Sequence, residues 1–571
     1  MLYLEILYAI LCKRTISIVA ILVATICDIL MSLINKKWIK NIIYSLFTII
    51  FIGYYMYFSM FECNLTISNI FNNVKAVKFT SVVIGKLSLK LLLFFIPLIL
   101  VNINFKKIKI SIKIKLIIVV LLYLISMIII LADKKSLYSK YNLYFKIQNN
   151  DENVKEFGLI TSLKLDLFKT IFKFKDHDIY NLNSICDNDE ICEISEYLSS
   201  KDNHSNNAYT GIFKGKNLIV ILAESFYPIG VSKETTPTLY EMINSGFNFT
   251  NYYTPLYPVS TADSQYVLDT SLLPANNTTS MKDSVNNYFI YSYPHVLNYK
   301  SFSYHNYEYN YYDRDKYMKN MGYQTYLACG NGLEKRIDCS RQSDYDMISS
   351  TVSDYIDLDN FLVYYTTMSG HANYDDTRYS IKKNKYLVED LPYSEIVKNY
   401  MASQIELDKA LEYLINALKE KNKLEDTVIV LAGDHPPYTL SESELKERKK
   451  INDYFDRYHT NLIIYNSEIK NTVVDKYCST IDVLPTVLNL FGITYDNKLL
   501  MGKDIFSDDI STIVFQTGSF IYNGNKYNAN YEKVTSGLLS KTEVEEIRDS
   551  IFKEYRYSRL ILENDYYSKL K

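Results

Sequence analysis

The sequence lacks the patterns of several common functional classes. Its eight cysteines form no CxxC pair and no Cys/His ligand spacing, which argues against a zinc ribbon or a thioredoxin-like site. The formal net charge is −2 and no long run of like charges occurs, so the basic signature of nucleic-acid binding is missing. Long apolar runs are confined to the first part of the 571 residues. The chain is too long for one ordinary domain and is therefore expected to have at least two parts.

Two pairs of cysteines lie close together in the sequence, Cys186 with Cys192 and Cys329 with Cys339. In an extracellular domain such local pairs are candidate disulfides. Small buried or free thiols are the alternative for both pairs.

Four stretches near the start are apolar and long enough to cross a hydrocarbon core of about 30 Å, which requires about 20 residues. They cover residues 15–34, 41–61, 84–103 and 114–132. The third stretch carries Lys86 and Lys90 toward one end, where long side chains reach the membrane interface. Residues 1–12 are apolar but short and include Glu5, so they form either a short first helix or an interfacial segment.

Basic residues in two loops predict the orientation of these spans, because positive loops tend to remain in the cytoplasm. The loop lysines are Lys36, Lys37, Lys40, Lys106, Lys107, Lys109, Lys113 and Lys115. The helix that ends near Ala132 then leads outward, which places everything from Asp133 onward outside the cell. Lys13 and Arg14 fall on the outer side, against the rule. Several spans follow the first, so a cleavable signal peptide is not expected.

The chain is therefore expected to have three regions. Residues 1–132 would form a polytopic α-helical membrane domain. Residues 133–210 would form a linker with helices, which ends in the polar string 199–207. Residues 211–571 would form an extracellular α/β domain.

Three apolar, β-prone runs in the third region lead into polar residues. KNLIVILAESF leads to Glu224, FLVYYTTMSGH leads to His371, and DTVIVLAGDH leads to Asp434 and His435. Separated by helical stretches such as 401–420, these runs predict a mainly parallel sheet covered on both faces. Ligands bind at the carboxyl ends of such strands, so the four side chains are expected at one edge. A glutamate, an aspartate and a histidine together suit Mn²⁺, Mg²⁺ or Zn²⁺.

A candidate nucleophile precedes another helical stretch. Pro255 and Pro258 keep the chain extended, and Ser260-Thr261 then begins a helical pattern. A hydroxyl there lies in the positive field of a helix amino terminus, where backbone N–H groups also donate hydrogen bonds to phosphate. Metal coordination could activate Thr261. Taken singly, each of these residues has a plainer interpretation as a helix cap, a turn residue or a loop carboxylate. Their joint occurrence favours a site.

The order of several motifs resembles lipoteichoic acid synthases and related phosphoglycerol transferases, which belong to the sulfatase and alkaline phosphatase superfamily. The motifs are ILAESF, STADSQYVLDTSLL, HNYEYNYYDRD, MSGH, AGDH, IDVLPTVLNLFGI and MGKDIF. The resemblance covers about 216–507, and the family's several-helix anchor agrees with the apolar first part. It implies a sulfatase-like fold for the third region and a bacterial cell membrane as the location.

The same resemblance implies one divalent metal, usually Mn²⁺, with Thr261 as the nucleophile. The residues it implies are the metal ligands Glu224, Thr261, Asp434 and His435, and the substrate contacts His305, Arg314, His371 and Tyr312. The chain departs from the family at Tyr307, where an aspartate is usual, and at Tyr312, where a tryptophan is usual. Pro436 and Pro437 replace a Tyr-Gly pair after GDH.

The implied reaction moves phosphoglycerol from phosphatidylglycerol to a glycolipid or a growing polyglycerolphosphate chain through a phospho-threonine intermediate. One alternative keeps the fold and transfers phosphoethanolamine or another lipid head group. A second alternative, from another class, is an inactive membrane sensor or scaffold. The sulfatase branch itself is disfavoured because its Cys/Ser-x-Pro-x-Arg signature is missing around Thr261.

Overall fold

The computed structural model describes residues 1–61, 64–67, 89–103, 110–134, 139–146, 149–171, 190–202, 206–275, 278–528 and 539–570. The chain divides into two compact units. One comprises residues 1–185 with 276–278, and the other comprises 186–275 with 279–571. The predicted linker 133–210 is not a separate unit in this division, and its boundaries stay a prediction.

The first unit is built from α-helices. A 3-10 helix, Leu89–Phe95, leads directly into the fourth of them. The helices are α1 Leu2–Leu11, α2 Ile18–Leu33, α3 Lys37–Phe61, α4 Ile96–Asn102, α5 Ile112–Ala132, α6 Lys140–Phe145 and α7 Asn150–Ile171. The side chains of Ser17 and Ser111 accept hydrogen bonds from backbone N–H groups at the starts of α2 and α5, as helix-capping serines do.

Two helices within the described ranges are long and apolar enough to cross a membrane, Lys37–Met60 in α3 and the whole of α5. They correspond to the predicted spans 41–61 and 114–132. The predicted span 15–34 forms the shorter helix α2, whose 16 residues cover about 24 Å and fall short of the hydrocarbon thickness.

The remaining membrane predictions are met only in part. The predicted span 84–103 includes Lys86, which lies outside the described residues together with Lys106, Lys107 and Lys109. Its described part is divided because Pro97, at the start of α4, has no N–H group with which to continue a helix from Leu89. Residues 1–12 form the short helix α1.

The second unit is an α/β domain around an eight-stranded sheet of order β10-β2-β9-β7-β1-β6-β4-β5. Only β9 runs antiparallel to its neighbours in this sheet. The strands are β1 Asn217–Ala223, β2 Phe247–Phe249, β3 Tyr252–Tyr253, β4 Lys300–Glu308, β5 Thr325–Cys329, β6 Phe361–Thr366, β7 Thr427–Gly433, β8 His459–Thr460, β9 Leu462–Tyr465, β10 Thr472–Val474, β11 Cys478–Ser479, β12 Thr512–Val514, β13 Phe520–Tyr522 and β14 Asn525–Tyr527. The mainly parallel sheet confirms the sequence prediction.

Helices accompany this sheet along the chain. They are α8 Glu190–Ser199, α9 Pro237–Ser245, α10 Ser260–Thr270, α11 Ser280–Asp283, α12 Tyr293–Leu297, α13 Arg314–Asn320, α14 Asp344–Thr351, α15 Tyr379–Asn384, α16 Glu395–Glu420, α17 Glu442–Leu445, α18 Val483–Leu490 and α19 Lys541–Glu563. The predicted helical stretch 401–420 lies within α16, and the predicted helix after Ser260 is α10.

The central strand β1 is buried on both faces, which explains its continuous apolar sequence. Leu218 and Val220 belong to one core, together with residues of α10 and α18. Ile219 and Ile221 belong to the other core, together with residues of α9 and α16. The two layers of helices leave only the strand ends free for chemistry.

One of the two predicted disulfides is confirmed. Cys329, the last residue of β5, is bonded to Cys339, ten residues further along the chain. The other predicted pair includes Cys186, which lies outside the described residues.

Candidate active site

Three predicted metal ligands meet at the carboxyl ends of β1 and β7. These strands are parallel neighbours, with Ala223 opposite Gly433, so the residues that follow them emerge side by side. Ligand atoms of Glu224, Asp434 and His435 all lie within 4.8 Å of one another. His435 Nε2 is 3.3 Å from Asp434 Oδ2 and 3.7 Å from Glu224 Oε1. The sheet therefore brings together side chains that are about 200 positions apart.

Local hydrogen bonds hold these three side chains in place. Asp434 Oδ1 accepts the backbone N–H groups of Ser225 at 2.7 Å and His435 at 2.8 Å. The Ser225 hydroxyl donates to Glu224 Oε1 at 2.9 Å. His435 Nδ1 lies 3.0 Å from the carbonyl oxygen of Pro436, an acceptor that places the hydrogen on Nδ1. Nε2 then presents its lone pair to the two carboxylates.

The electrostatics of this group fit a divalent cation. Burial, with the neighbouring charge of Asp434, raises the pKa of Glu224 well above its ordinary value. Asp434 Oδ2 is buried and has no hydrogen-bond partner within the described residues. Two buried carboxylates and one imidazole that face each other form an oxygen-and-nitrogen donor set for a divalent metal.

Thr261 lies beside this group at the start of α10. Its hydroxyl donates to Glu224 Oε2 at 3.4 Å. Ser260 has a φ of 46°, in the left-handed region that non-glycine residues rarely adopt. Such strained positions concentrate at functional sites. Thr261 is half-buried, whereas Ala262 and the residues after it in α10 are buried. Its hydroxyl therefore lies at the end of α10 that is accessible to solvent.

Arg314 and His305 form a second polar group. Arg314 is 1% exposed, and its Nε donates to Gln265 Oε1 at 3.0 Å. Within the described ranges no carboxylate lies within ion-pair distance of this guanidinium. Gln265 follows Thr261 by four residues on α10, so both project from the same helix face. His305 Nδ1 lies 2.9 Å from the carbonyl oxygen of Thr366. Burial and the charge of Arg314 lower the pKa of His305 well below its ordinary value.

His371 lies on the loop after β6, and this loop packs against Glu224. A Cβ added at Gly370 would lie 2.1 Å from the carbonyl oxygen of Glu224, so only glycine allows this approach. Burial, the charge of Arg378 and the nearby His435 lower the pKa of His371 to about 3. His371 is therefore neutral at physiological pH.

Tyr312 lies near Tyr311, Tyr438 and Arg314. It packs edge-on against Tyr311, with ring centroids 4.5 Å apart, and has a φ of 60°. The charge of Arg314 acts on it, although burial dominates and raises the pKa of the phenol. Within the described residues Tyr312 makes no hydrogen bond to Glu224, Asp434 or His435. Its role as a substrate contact stays a prediction.

Several residues around the site were not predicted from the sequence. Ser225 and Gln265 had a usable signal, since one follows Glu224 directly and the other lies one helical turn from Thr261. Arg378 donates to Gln342 Oε1 at 2.9 Å and to the carbonyl oxygen of Met368 at 2.7 Å. Its contacts join separate loops, and no local pattern indicates them.

Asp344 was also missed, although it fixes the loop that carries His371. It is fully buried and accepts N–H groups from Met368 at 2.8 Å and Ser369 at 3.2 Å. The side-chain amide of Asn306, next to His305, donates to the same carboxylate at 2.9 Å. The carboxylate therefore ties the end of β4 to the loop after β6.

Removal of this carboxylate is expected to be costly. Asp344→Ala leaves three buried donors without an acceptor, so the free energy of unfolding should fall by about 2–4 kcal/mol. Asp346→Ala is the matched control on the same helix, because Asp346 is partly exposed and lies 3.6 Å from Arg341. Thermal unfolding of the full chain in detergent measures both variants. Equal melting temperatures for the two would contradict an anchoring role for Asp344.

Comparisons with known proteins find similar sequences and a similar fold. A protein-family model described as Sulfatase matches residues 216–493. Lipoteichoic acid synthase 2 of Bacillus subtilis is 26% identical over 430 residues, which cover 67% of this chain and 62% of that protein. The lipoteichoic acid synthase of Staphylococcus saprophyticus is 28% identical over 385 residues, 62% of this chain and 58% of that protein. The matches thus span about three fifths of the length of these relatives.

A solved structure shares the fold. The crystal structure of the lipoteichoic acid synthase LtaP from Listeria monocytogenes matches with a TM-score of 0.55 at 22% identity, and covers 65% of this chain and 98% of that one. In our chain the mainly parallel sheet carries a cluster of acidic and histidine side chains at its edge. Residues 216–493 therefore match the sulfatase family, and the chain is similar to lipoteichoic acid synthases over about two thirds of its length.

Proposed function

We propose that the chain is a membrane-anchored, metal-dependent phosphoglycerol transferase of lipoteichoic acid synthesis. Its donor would be phosphatidylglycerol, and its acceptor a glycolipid or a growing polyglycerolphosphate chain. Similarity to two lipoteichoic acid synthases supports this assignment. The observation that carries it is the position of the Thr261 hydroxyl. This hydroxyl lies beside Glu224, on the same face of α10 as Gln265, which accepts a hydrogen bond from Arg314.

In this proposal one divalent metal would be held by Glu224, Asp434, His435 and Thr261. We expect Mn²⁺, which is usual in the family that the chain resembles, with Mg²⁺ or Zn²⁺ as alternatives. A bound divalent metal lowers the pKa of a coordinated hydroxyl and offsets phosphate charge. Thr261 Oγ1 would then lose its proton and form a bond to phosphorus as the bond from phosphorus to the diacylglycerol oxygen breaks, and that oxygen would take up a proton as diacylglycerol leaves. The product is a phosphoglycerol-threonine intermediate, which an acceptor hydroxyl attacks in the second step.

The neutral state of His371 suits that second step. Its Nδ1 lies against the carbonyl oxygen of Ala372, which places the ring hydrogen on Nδ1 and the lone pair on Nε2. We propose that Nε2 takes the proton of the entering hydroxyl as the new bond to phosphorus forms. The backbone N–H groups at the start of α10 and the cationic Arg314 would stabilise the phosphate oxygens.

Arg314→Lys is expected to lower kcat/KM about 10- to 100-fold, because a lysine keeps the charge but loses the planar pair of donors and the Nε bond to Gln265. Diacylglycerol release by the full-length protein measures the effect. Arg341→Lys, at a partly exposed position beside Asp338 and Asp346, is the matched control and should leave the rate unchanged. A full rate for Arg314→Lys would remove Arg314 from substrate recognition.

The proposed organisation has a membrane domain at 1–132, a linker with helices at 133–210 and a catalytic domain at 211–571 outside the bacterial cell membrane. Two membrane-length helices in the first unit support the anchor. The disulfide Cys329–Cys339 supports an extracellular second unit, because disulfides persist in oxidising compartments. An anchor would also suit a lipid donor, because the anchor would keep the active site near the outer leaflet.

The head group is tested by product analysis. Purified full-length protein with Mn²⁺ receives phosphatidylglycerol or phosphatidylethanolamine, and released diacylglycerol and new phosphodiesters are identified by mass spectrometry. Release from phosphatidylglycerol is expected. Release from phosphatidylethanolamine alone would reassign the head group, and no release in the presence of bound metal would favour a sensor or scaffold.

A further inference from the structure

The first unit contains a large apolar cavity that the proposed chemistry does not use. It measures about 820 Å³, within the usual range for sites that hold small molecules. Helices α2, α3, α5 and α7 supply most of its wall, with Val23, Ile50, Met127 and Leu163 as typical lining residues. Among the lining residues that the structure describes, Lys164 is the one that carries a charge.

The cavity follows the helices for about two turns. Its lining extends from Val19 to Cys27 in α2 and from Tyr123 to Ile130 in α5, about 10–12 Å along each helix axis. That depth approaches one leaflet of a bilayer, whose hydrocarbon core is about 30 Å thick in total. An acyl chain of a membrane lipid has this extended, apolar form.

One end of the cavity lies where α5 ends and α6 and α7 pack. Val19 and Ile130 belong to a cluster that contains Leu143 of α6 and Phe157 of α7. Tyr144 lies at this end too, with its ring edge-on to Phe157 at 5.7 Å. Lys164 Nζ donates to the Tyr144 hydroxyl at 2.7 Å. The ammonium therefore lies at this end of the cavity, where Lys164 is exposed.

The Lys164 ammonium has no carboxylate partner within the described part of the chain. A lysine at the mouth of an apolar cavity can reach the membrane interface, where it attracts anionic lipid head groups. The cavity is apolar over a depth of about one leaflet and has the Lys164 ammonium at its mouth. These two features complement an amphipathic, anionic molecule. An uncharged lipid or a free phosphate matches only one half of these features.

We infer that this cavity binds an anionic diacyl phospholipid, with an acyl chain between α2, α3 and α5 and the phosphate at Lys164. The inference rests on the membrane location in the proposed function, but not on the transfer chemistry. It assigns a lipid site to the first unit alone, independent of the metal-ligand residues of the second.

Gly53 allows the cavity to be filled without a change in its wall. It lies on α3 among the lining residues, and a Cβ at this position meets no atom within 4 Å. Gly53→Phe therefore directs a ring into the cavity. Ile49→Phe is the matched control one turn away on the same helix, because Ile49 is 67% exposed.

The test is native mass spectrometry of the full-length chain in mild detergent after equilibration with phosphatidylglycerol or phosphatidylcholine. Wild type and Ile49→Phe are expected to retain one phosphatidylglycerol per chain. Gly53→Phe should lower this retention at least about tenfold, which corresponds to a shift of about 1.4 kcal/mol. Lys164→Gln should lower the preference for phosphatidylglycerol over phosphatidylcholine about fivefold.

Equal retention by Gly53→Phe and Ile49→Phe would overturn the proposal, and so would an unchanged lipid preference in Lys164→Gln. A wild-type chain that stays soluble without detergent would overturn both this proposal and the membrane anchor. Loss of head-group transfer with intact lipid retention would count against the proposed function alone. Thermal unfolding of each variant establishes that lost retention reflects the cavity and not the fold.

Discussion

Thr261→Ala is expected to abolish transfer from phosphatidylglycerol, with a fall in rate of at least about a thousandfold. The variant lacks the oxygen that forms the bond to phosphorus, and no other hydroxyl is expected to take its place. Glu224, Asp434 and His435 keep their positions, because their hydrogen bonds come from Ser225 and the backbone. Metal binding should therefore outlast the activity. Diacylglycerol release and metal content are measured on the same preparation.

Two controls separate the lost nucleophile from a disturbed helix. Thr261→Ser restores a hydroxyl at the same position and should recover part of the rate. Thr270→Ala makes the same substitution at the other end of α10, where the hydroxyl donates to the carbonyl oxygen of Tyr266 and accepts from the N–H group of Leu272. Activity of Thr261→Ala above a tenth of the wild-type level would assign the nucleophile elsewhere.

Glu224→Gln is expected to change stability in opposite directions with and without metal. In chelator the substitution replaces a carboxyl group whose charged form is disfavoured by burial beside Asp434, so the free energy of unfolding should rise by about 1–3 kcal/mol. With Mn²⁺ in hundredfold excess over its dissociation constant, wild type should gain about 2.7 kcal/mol, and the variant should lose most of that gain. Thermal unfolding in EDTA and in Mn²⁺ gives both values.

A second buried glutamate provides the contrast. Glu406 is fully buried, but Lys383 lies 3.0 Å from its Oε1 and the Asn384 amide 2.9 Å from its Oε2. Glu406→Gln breaks a satisfied ion pair and should lower stability equally in EDTA and in Mn²⁺. If Glu224→Gln behaved in the same way, Glu224 would be a structural carboxylate and not a metal ligand.

The sheet and its functional edge followed from local sequence patterns. Continuous apolar runs such as Asn217–Ala223 are typical of strands covered on both faces, and parallel strands bring their carboxyl ends to one edge. The strand pattern alone therefore predicts that Glu224 and Asp434 lie close together. The start of α10 at Ser260 followed from the extended, proline-containing segment that precedes it.

Contacts made across the fold could not be predicted in this way. Asp344 binds groups from β4 and from the loop after β6, and Arg378 binds that same loop and Gln342, so no short segment of sequence shows either function. Arg314 and His305 lie in an aromatic, charged segment that resembles an exposed surface, yet both are buried. The resemblance to a family singled them out, whereas composition alone did not.

The membrane part shows a different limit. Apolar composition predicted the span 15–34, but helix length depends on where capping and polar residues stop the helix. Ser17 begins α2, and Asn35 with Lys36 follows closely after its end at Leu33. Composition therefore predicted the apolar segments better than their helical lengths.

The central claim is a covalent phosphoglycerol intermediate on Thr261, and intact-mass analysis tests it most directly. Full-length wild type and Thr261→Ala are incubated with phosphatidylglycerol and Mn²⁺, quenched in acid and compared with untreated protein. We expect a phosphoglycerol adduct on wild type and none on Thr261→Ala. An adduct of equal abundance on both proteins, or none on wild type that has bound metal and has released diacylglycerol, would contradict a threonine intermediate.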